Sequence, residues 1–237
     1  MVIASCTSIC DRNHDSLCEI VNGYAHSVLI PDLCVFVLDR CSVKTETELQ
    51  SLLTVSGIRY VILKSPWSDS VFAAGRPRDY AVDQVLNVLM PETDVFMFLD
   101  GDCIPSTTLF QEHMRVQSKF PEHACVVNGR RVDTSGELDP RQAAGMFDDK
   151  YDVVVTGPQQ LYTDTMIPCC FGCNVSLNRP ALANARALNR MVLGDVDRCF
   201  ASAFDGRWGG EDPFLAASLY RTGAVIINLN TSSYVLH

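Results

Sequence analysis

Basic residues are in short supply in this sequence: 19 Lys and Arg stand against 28 Asp and Glu over 237 residues, a formal net charge of −9. A nucleic acid or an anionic membrane surface is held by a basic stripe, so neither is expected as the main partner. Long apolar runs are missing too. None approaches a membrane span, and the strand-like Val2-Ile3-Ala4-Ser5-Cys6 at the start leaves no room for a secretory leader. The expectation is a soluble, cytoplasmic chain. There is no Gly/Ser- or Pro-rich linker, internal repeat or low-complexity tract, which predicts one domain over 1–237. Cysteine is not scarce, but the 11 residues are an odd number, and Cys6, Cys34 and Cys125 lie in apolar runs where a thiol serves as a small hydrophobe. That usage fits a reducing compartment. Cys169, Cys170 and Cys173 lack a second ligand pair at a suitable spacing, which speaks against a structural zinc.

Short apolar runs alternate with helical patterns. Strands are predicted at 2–6, 33–38, 60–63 and 95–99, with helices over 15–28, 46–55 and 80–89 between them. This βαβαβαβ order predicts an α/β fold with a mostly parallel central sheet and helices on both faces. The remainder is less regular. A helix is predicted over 109–119, a strand over 124–128, loops over 131–161, a strand over 171–177, a helix over 179–188, a helix over 213–221 closed by Gly223, and a final strand over 224–229.

Two motifs carry chemistry. Val95-Phe96-Met97-Phe98-Leu99 runs into Asp100-Gly101-Asp102. A buried strand of this kind delivers its polar end to the carboxyl edge of the sheet, where ligands of open α/β sheets collect. Side chains two apart on a strand share a face, so the two aspartates are expected to point the same way, with Gly101 allowing close approach of a ligand. Two carboxylates at a strand end can also simply cap a turn. The second motif is Trp208-Gly209-Gly210-Glu211-Asp212. Its glycines permit a tight turn under a sugar, the indole offers a flat apolar face for a pyranose ring, and one carboxylate can take a proton from an acceptor hydroxyl. Asp212 followed by Pro213 also reads as a helix N-cap and first-turn pair, and the two roles are compatible.

With these motifs the chain resembles a GT-A-fold glycosyltransferase of the large family 2 group, with a C-terminal part similar to galactosyltransferases and chondroitin-type polymerases. The resemblance spans essentially the whole chain and divides it into a nucleotide-sugar-binding half (1–105) and an acceptor-binding half (106–237). Val37-Leu38-Asp39-Arg40-Cys41-Ser42 resembles the family's V-D-D-G-S segment, which implies that Asp39 contacts the nucleotide base; Arg40 and Cys41 depart from the pattern. Ala74-Gly75-Arg76-Pro77-Arg78-Asp79 resembles A-x-A-R-N, which implies Arg78 near base and diphosphate, with Asp79 in place of Asn. The D-x-D match implies Asp100 near the ribose and Asp102 on a divalent ion, Mn²⁺ or Mg²⁺, coupled to the diphosphate. By the same resemblance Asp212 is the general base and Glu211 orients the acceptor. Trp208, Gly209 and Gly210 contact substrate, and His237, just beyond the last strand, completes the metal's coordination. Phe171 to Arg179 resembles G-x-N-x-S-x-x-R, with Cys173 and Val175 read as buried strand residues. The other histidines, His14, His26, His113 and His123, read as surface or loop residues.

The implied reaction is metal-dependent, inverting transfer of a sugar from a nucleoside-diphosphate sugar, most simply a UDP-sugar, to a carbohydrate or other hydroxyl acceptor. Two alternatives stay open. A sugar-1-phosphate nucleotidyltransferase calls for a Gly-rich, Lys/Arg-containing loop after the first strand, which Ser5-Cys6-Thr7-Ser8-Ile9-Cys10 does not supply. A non-catalytic carbohydrate-binding module gives no reason to keep both carboxylate motifs.

Overall fold

A computed structural model describes residues 1–69, 71, 73–132, 153–155, 172–194, 198–206, 210–229 and 233–237. The predicted alternation is present in its first part. Strands β1 (Ile3–Ile9), β2 (Leu33–Leu38), β3 (Tyr60–Lys64) and β4 (Val95–Asp100) are separated by helices α1 (Leu17–Ala25), α2 (Val43–Ser56) and α3 (Gly75–Gln84). Then follow β5 (Ile104–Pro105), α4 (Leu109–Gln117), β6 (Cys125–Asn128), β7 (Arg130–Val132), β8 (Val153–Val155), β9 (Asn174–Asn178), α5 (Arg179–Leu193), α6 (Glu211–Arg221), β10 (Val225–Asn228) and β11 (Tyr234–Leu236). The main sheet has eight strands in the order β3-β2-β1-β4-β9-β6-β10-β8, and a second sheet has the order β5-β11-β7. Within the main sheet β9 and β8 run against their neighbours while the other pairings are parallel. The predicted mostly parallel α/β sheet is the one observed.

Strand alternation assigns the two faces. On β4, Phe96 and Phe98 join α3, α5 and α6 through Ala81, Val82, Leu182, Ala185, Leu215 and Leu219. Val95, Met97 and Leu99 join α1, α2 and α4 through Leu17, Ile20, Leu49, Leu53 and Phe110. All of these side chains are nearly or fully buried, so helices cover both faces of the sheet. Burial on this scale is the main favourable term for folding. Cys6, Cys34 and Cys125 are buried in these layers, as their apolar context implied.

Local chemistry corrects several boundaries. The helix predicted over 46–55 starts at Val43 because Ser42 caps it, its Oγ accepting from Thr45 N at 3.4 Å, and Gly57 closes it in the left-handed region at φ 74°. The helix predicted over 15–28 is a 3₁₀ segment, Asp11–Ser16, followed by the shorter α1. That predicted over 80–89 begins at Gly75 and ends in a π turn, Val85–Leu89. The predicted loop region 131–161 contains the end of β7 and all of β8, and β11 follows the strand expected to be last. Three-residue strands carry too little periodicity to announce themselves; long-range pairing fixes them, with Tyr234 opposite Arg130 and Val235 opposite Arg131.

The topology sets the site. Parallel pairing of β1 with β2 and β4, with Ser8 opposite both Val37 and Asp100, brings three strand ends to one edge of the sheet. No helix among the described residues is long and apolar enough to cross a membrane.

Candidate active site

At that edge lies a cleft of about 380 Å³ lined by Ser8, Ile9 and Cys10 at the end of β1, Asp39 after β2, Arg78 on α3, Asp100, Gly101 and Asp102 at the end of β4, and Gly210, Glu211 and Asp212 at the start of α6. Sequence positions from Asp39 to Asp212 thus meet in one cavity. His237 lies beside Asp102. Trp208 and Gly209 fall outside the described residues, as do Cys169 and Cys170.

Asp39 is held by its surroundings. Its Oδ1 accepts from Trp67 Nε1 at 2.9 Å and its Oδ2 from Arg40 Nη2 at 2.9 Å. Arg40 adopts φ 58°, a conformation that a glycine adopts more readily, at the position where the resemblance has its second Asp. Oδ1 also accepts from Arg40 Nε at 3.3 Å, so Oδ2 is the oxygen that retains a lone pair for a further donor, such as the N–H of a nucleotide base.

Asp100 and Asp102 address different partners. β4 ends at Asp100, and Asp102 sits in the turn that follows, so strand alternation does not extend to it. Gly101 lines the cleft, and the glycine is also required by packing, because a Cβ there would collide with Ser8 O and Asn13 Oδ1.

Arg78 is held from inside the protein. Its side chain is buried, 3 % exposed, and both terminal nitrogens are committed: Nη2 donates to Asp100 Oδ1 at 2.6 Å and Nη1 to Asp212 Oδ1 at 3.1 Å. The Phe200 ring lies 5.2 Å from its guanidinium carbon. Arg78 lines the cleft and ties the carboxyl end of β4 to the start of α6. A buried guanidinium between two carboxylates holds geometry because removing either side strands a charge away from water.

Asp212 is not an N-cap. Gly210 occupies that position at φ 100°, a left-handed conformation suited to glycine, and a Cβ there would also lie 2.6 Å from the Phe204 ring. Asp212 lies in the first turn, where the helix dipole favours negative charge. Its Oδ2 accepts from Gly172 N at 2.8 Å while Oδ1 faces Arg78. Burial pushes the Asp212 carboxyl above its ordinary value, opposed by the charge of Arg78. Glu211 is raised as well, again chiefly by burial. The arrangement yields a positioned carboxylate of increased basicity at the start of a helix, which is what a general base requires.

Asp102 Oδ2 lies 3.7 Å from His237 Nε2. One carboxylate oxygen and one imidazole nitrogen at this spacing fit a divalent cation that keeps open positions for water and phosphate oxygens. Among the described residues no cluster of three or more His, Cys, Asp or Glu side chains forms a complete cage. One contact qualifies the fit. Arg131 Nη2 donates to His237 Nδ1 at 2.8 Å, which leaves the neutral ring's own proton on Nε2. A ring that ligates through Nε2 carries that proton on Nδ1, which then cannot accept from Arg131.

Arg12, Asn13 and Arg131 also line the cleft, and none belongs to a motif. Arg12 and Asn13 directly follow β1, so their place at a strand end was the available signal. Arg131 had none, since it depends on the pairing of β7 with β11. His113 corrects another expectation. It is fully buried on α4, with Nε2 3.0 Å from Asn174 Oδ1 and Nδ1 2.8 Å from Ser176 Oγ, and burial pushes its pKa down to about 3. Asn174 Nδ2 in turn donates to Arg130 O at 3.0 Å. The Asn and Ser of the 171–179 segment therefore anchor β9 to α4 and β7. Cys173 and Val175 are buried, as expected. Asp79 is buried too and accepts from the backbone N–H groups of Cys199 and Phe200, which seats the Phe200 ring beneath Arg78.

The sequence matches no protein-family profile and no curated protein sequence. Solved structures do resemble the chain. Staphylococcus aureus TarS 1–349 superposes with a TM-score of 0.68 at 14 % identity, over all of this chain and 60 % of that one. A longer TarS structure gives 0.69 at 15 % identity, over all of this chain and 36 % of that one. TarS 1–349 in complex with UDP-GlcNAc gives 0.68 at 15 % identity, over all of this chain and 58 % of that one. The chain thus spans 36–60 % of the length of these TarS structures. At such identities the shared property is the fold, and it is the GT-A-type arrangement that the strand order and the carboxylate motifs led us to expect.

Proposed function

We propose that the protein is a metal-dependent, inverting glycosyltransferase that uses a nucleoside-diphosphate sugar, with UDP as the nucleotide. The observation that carries this reading is the single cleft in which Asp39, Asp100 and Asp102, at the ends of β2 and β4, face Glu211 and Asp212 at the start of α6. TarS, with the same fold, has been seen in complex with UDP and with UDP-GlcNAc, which supports a nucleotide sugar as the ligand class here.

In this reading Asp39 accepts from the nucleotide base, and Asp100 lies at the ribose while its other partner, Arg78, holds it in place. A cation at Asp102 and His237, Mn²⁺ or Mg²⁺, would offset the charge that develops on the departing diphosphate. Asp212 accepts the proton of the acceptor hydroxyl. The hydroxyl oxygen forms a bond to the anomeric carbon from the face opposite the diphosphate, and the bond from that carbon to the phosphate oxygen breaks with its electron pair leaving on the nucleoside diphosphate. Attack in line from one side inverts the anomeric configuration. Glu211, buried beside Asp212, orients the acceptor, and the raised pKa of Asp212 brings its basicity nearer the working pH.

A nucleotidyltransferase is less well supported, because the residues after β1 are Cys10, Arg12 and Asn13 rather than a glycine-rich phosphate loop. The test is a screen of nucleotide sugars by thermal shift with and without Mn²⁺, followed by product analysis for the best donor. Binding raises stability by mass action. Expected are a UDP-sugar hit that depends on the ion and release of UDP when an acceptor is supplied. Release of pyrophosphate, or no response to any UDP compound, would remove the proposal.

A further inference from the structure

We propose that Arg40 sets the base preference of the cleft: its guanidinium covers the edge of Asp39 that a guanine would occupy, so that Asp39 is left to accept a single N–H, as uracil supplies. The inference rests on the reading of the cleft as a nucleotide-sugar site with Asp39 at the base, and adds to it the residue that chooses the base.

The acceptor positions of Asp39 decide this. A carboxylate offers about four, two on each oxygen. Among the described residues, donors take three of them: Trp67 Nε1 at 2.9 Å and Arg40 Nε at 3.3 Å on Oδ1, and Arg40 Nη2 at 2.9 Å on Oδ2. Arg40 thus lies side-on with one donor on each oxygen, the bidentate pairing of a guanidinium with a carboxylate. Guanine carries the same kind of donor pair, since its N1–H and its 2-amino group are joined through one carbon as Nε and Nη2 are. It competes for the edge that Arg40 already holds. Uracil has one imide N–H between two carbonyls, which suits the one position left on Oδ2. A base that brings a second donor to this place leaves it unpaired, and the site discriminates by that loss.

The pair is built into the fold. Consecutive side chains on a strand point to opposite faces. The fork between Arg40 and Asp39 therefore depends on the chain leaving β2 at Leu38 and turning through φ 58° at Arg40. An arginine in the left-handed region persists where its surroundings impose it. Here the turn is pinned on both sides: Asp39 N donates to Ile9 O at 2.7 Å, and Ser42 N donates to Asp11 Oδ1 at 2.8 Å. Trp67 fixes the carboxylate from a third direction. Ser65 N donates to Leu38 O at 3.0 Å just beyond β3, which brings the following residues alongside Asp39, and the Trp67 ring packs edge-on against Tyr80 of α3.

Inosine diphosphate is the probe that isolates the covered edge, because its base keeps N1–H but lacks the 2-amino group of guanine. UDP, with Mn²⁺, is titrated into the wild type and Arg40→Gly, and GDP and inosine diphosphate are set in competition with it. Glycine suits φ 58°, so the variant is expected to keep the fold, which thermal melts check. The wild type is expected to prefer UDP and to bind GDP no more tightly than inosine diphosphate. In Arg40→Gly, GDP is expected to gain about tenfold to a hundredfold over inosine diphosphate, the worth of one more hydrogen bond to a charged group, and the preference for UDP over GDP is expected to shrink. Loss of the Arg40 charge acts on all three diphosphates alike and cancels in the ratio. An unchanged ratio of GDP to inosine diphosphate in Arg40→Gly, or purine nucleotides that fail to compete there, overturns the inference while UDP binding keeps the nucleotide reading. So does a wild type that already binds GDP about tenfold more tightly than inosine diphosphate. A wild type that binds no UDP overturns the inference together with the reading beneath it.

Discussion

Residues 1–105 and 106–237 contribute to one sheet by different routes. In the first region β1, β2 and β3 are neighbours in the chain and in the sheet, Ala4 pairing with Leu33 and Cys34 with Tyr60 with one α-helix in each crossover, and β4 then returns to pair with β1, Val95 opposite Ile3. In the second, Cys125 pairs with Val225 and Arg130 with Tyr234, so the strands are brought together across most of the intervening chain. The first region delivers Asp39, Asp100 and Asp102 to the cleft directly from strand ends. The second delivers Asp212 and His237 only after distant segments have met. Arg78 is the joint, an α3 residue from the first region whose guanidinium reaches Asp212 of the second. The lesson is a division of labour: the proposed donor contacts stand on the ends of parallel strands, and the proposed base stands on a helix tied to that frame by a buried ion pair.

Substitutions can break that division. The largest expected effect is that of Asp212→Asn, which keeps shape but cannot take a proton. Turnover should fall by about 10²–10⁴-fold with UDP affinity near that of the wild type. Because Gly210 is the N-cap, the helix start should be retained, and thermal melts should check this. A parallel loss of UDP affinity would show that the second region also binds donor. The pH profile carries a sign. The ionised form of Asp212 is the base, and burial raises its pKa, so the acid limb of kcat/KM should lie above the ordinary carboxylate value of 3.8.

Arg78→Met should affect both regions. Removing a buried partner commonly costs about 3–5 kcal/mol, and the low end applies because Asp100 is 35 % exposed and water can reach it. In whatever fraction remains folded, loss of the cation that opposes burial should move the acid limb to higher pH. A limb that stays in place would mean that Arg78 does not act on Asp212.

Asp39→Ala should have the smallest effect and confine it to the first region. UDP affinity should drop while the response to Mn²⁺ persists, and the preference for UDP over GDP should shrink, since a buried hydrogen-bonding edge leaves groups unpaired with the wrong base. Competition giving equal wild-type affinities for UDP and GDP would contradict the placement of Asp39 on the base.

How much of this was legible in the sequence follows the same division. The run 33–38 is β2 residue for residue, and 95–99 is β4 but for Asp100, because a fully buried parallel strand reads as an unbroken apolar run. The D-x-D and Gly-Glu-Asp segments reached the cleft for the same reason: each closes or opens a strongly patterned element. Arg131 and β11 were illegible because a three-residue strand has no period to read and its partner lies far along the chain. The interior roles of His113 and Arg78 were hidden as well. Nothing in a single sequence distinguishes a polar side chain aimed at a ligand from one satisfied by other side chains within the fold, and here Ser176, Asn174, Asp100 and Asp212 are those partners.

The proposed function requires that this cleft bind a nucleoside diphosphate through an ion at Asp102. Calorimetric titration of UDP into the wild-type protein and Asp102→Ala, each with Mn²⁺ and with a chelator, tests it most directly. UDP is expected to bind the wild type with Mn²⁺, to bind markedly less on chelation, and to bind Asp102→Ala with a weak affinity that Mn²⁺ does not change. Equal UDP affinity in all four titrations would contradict it.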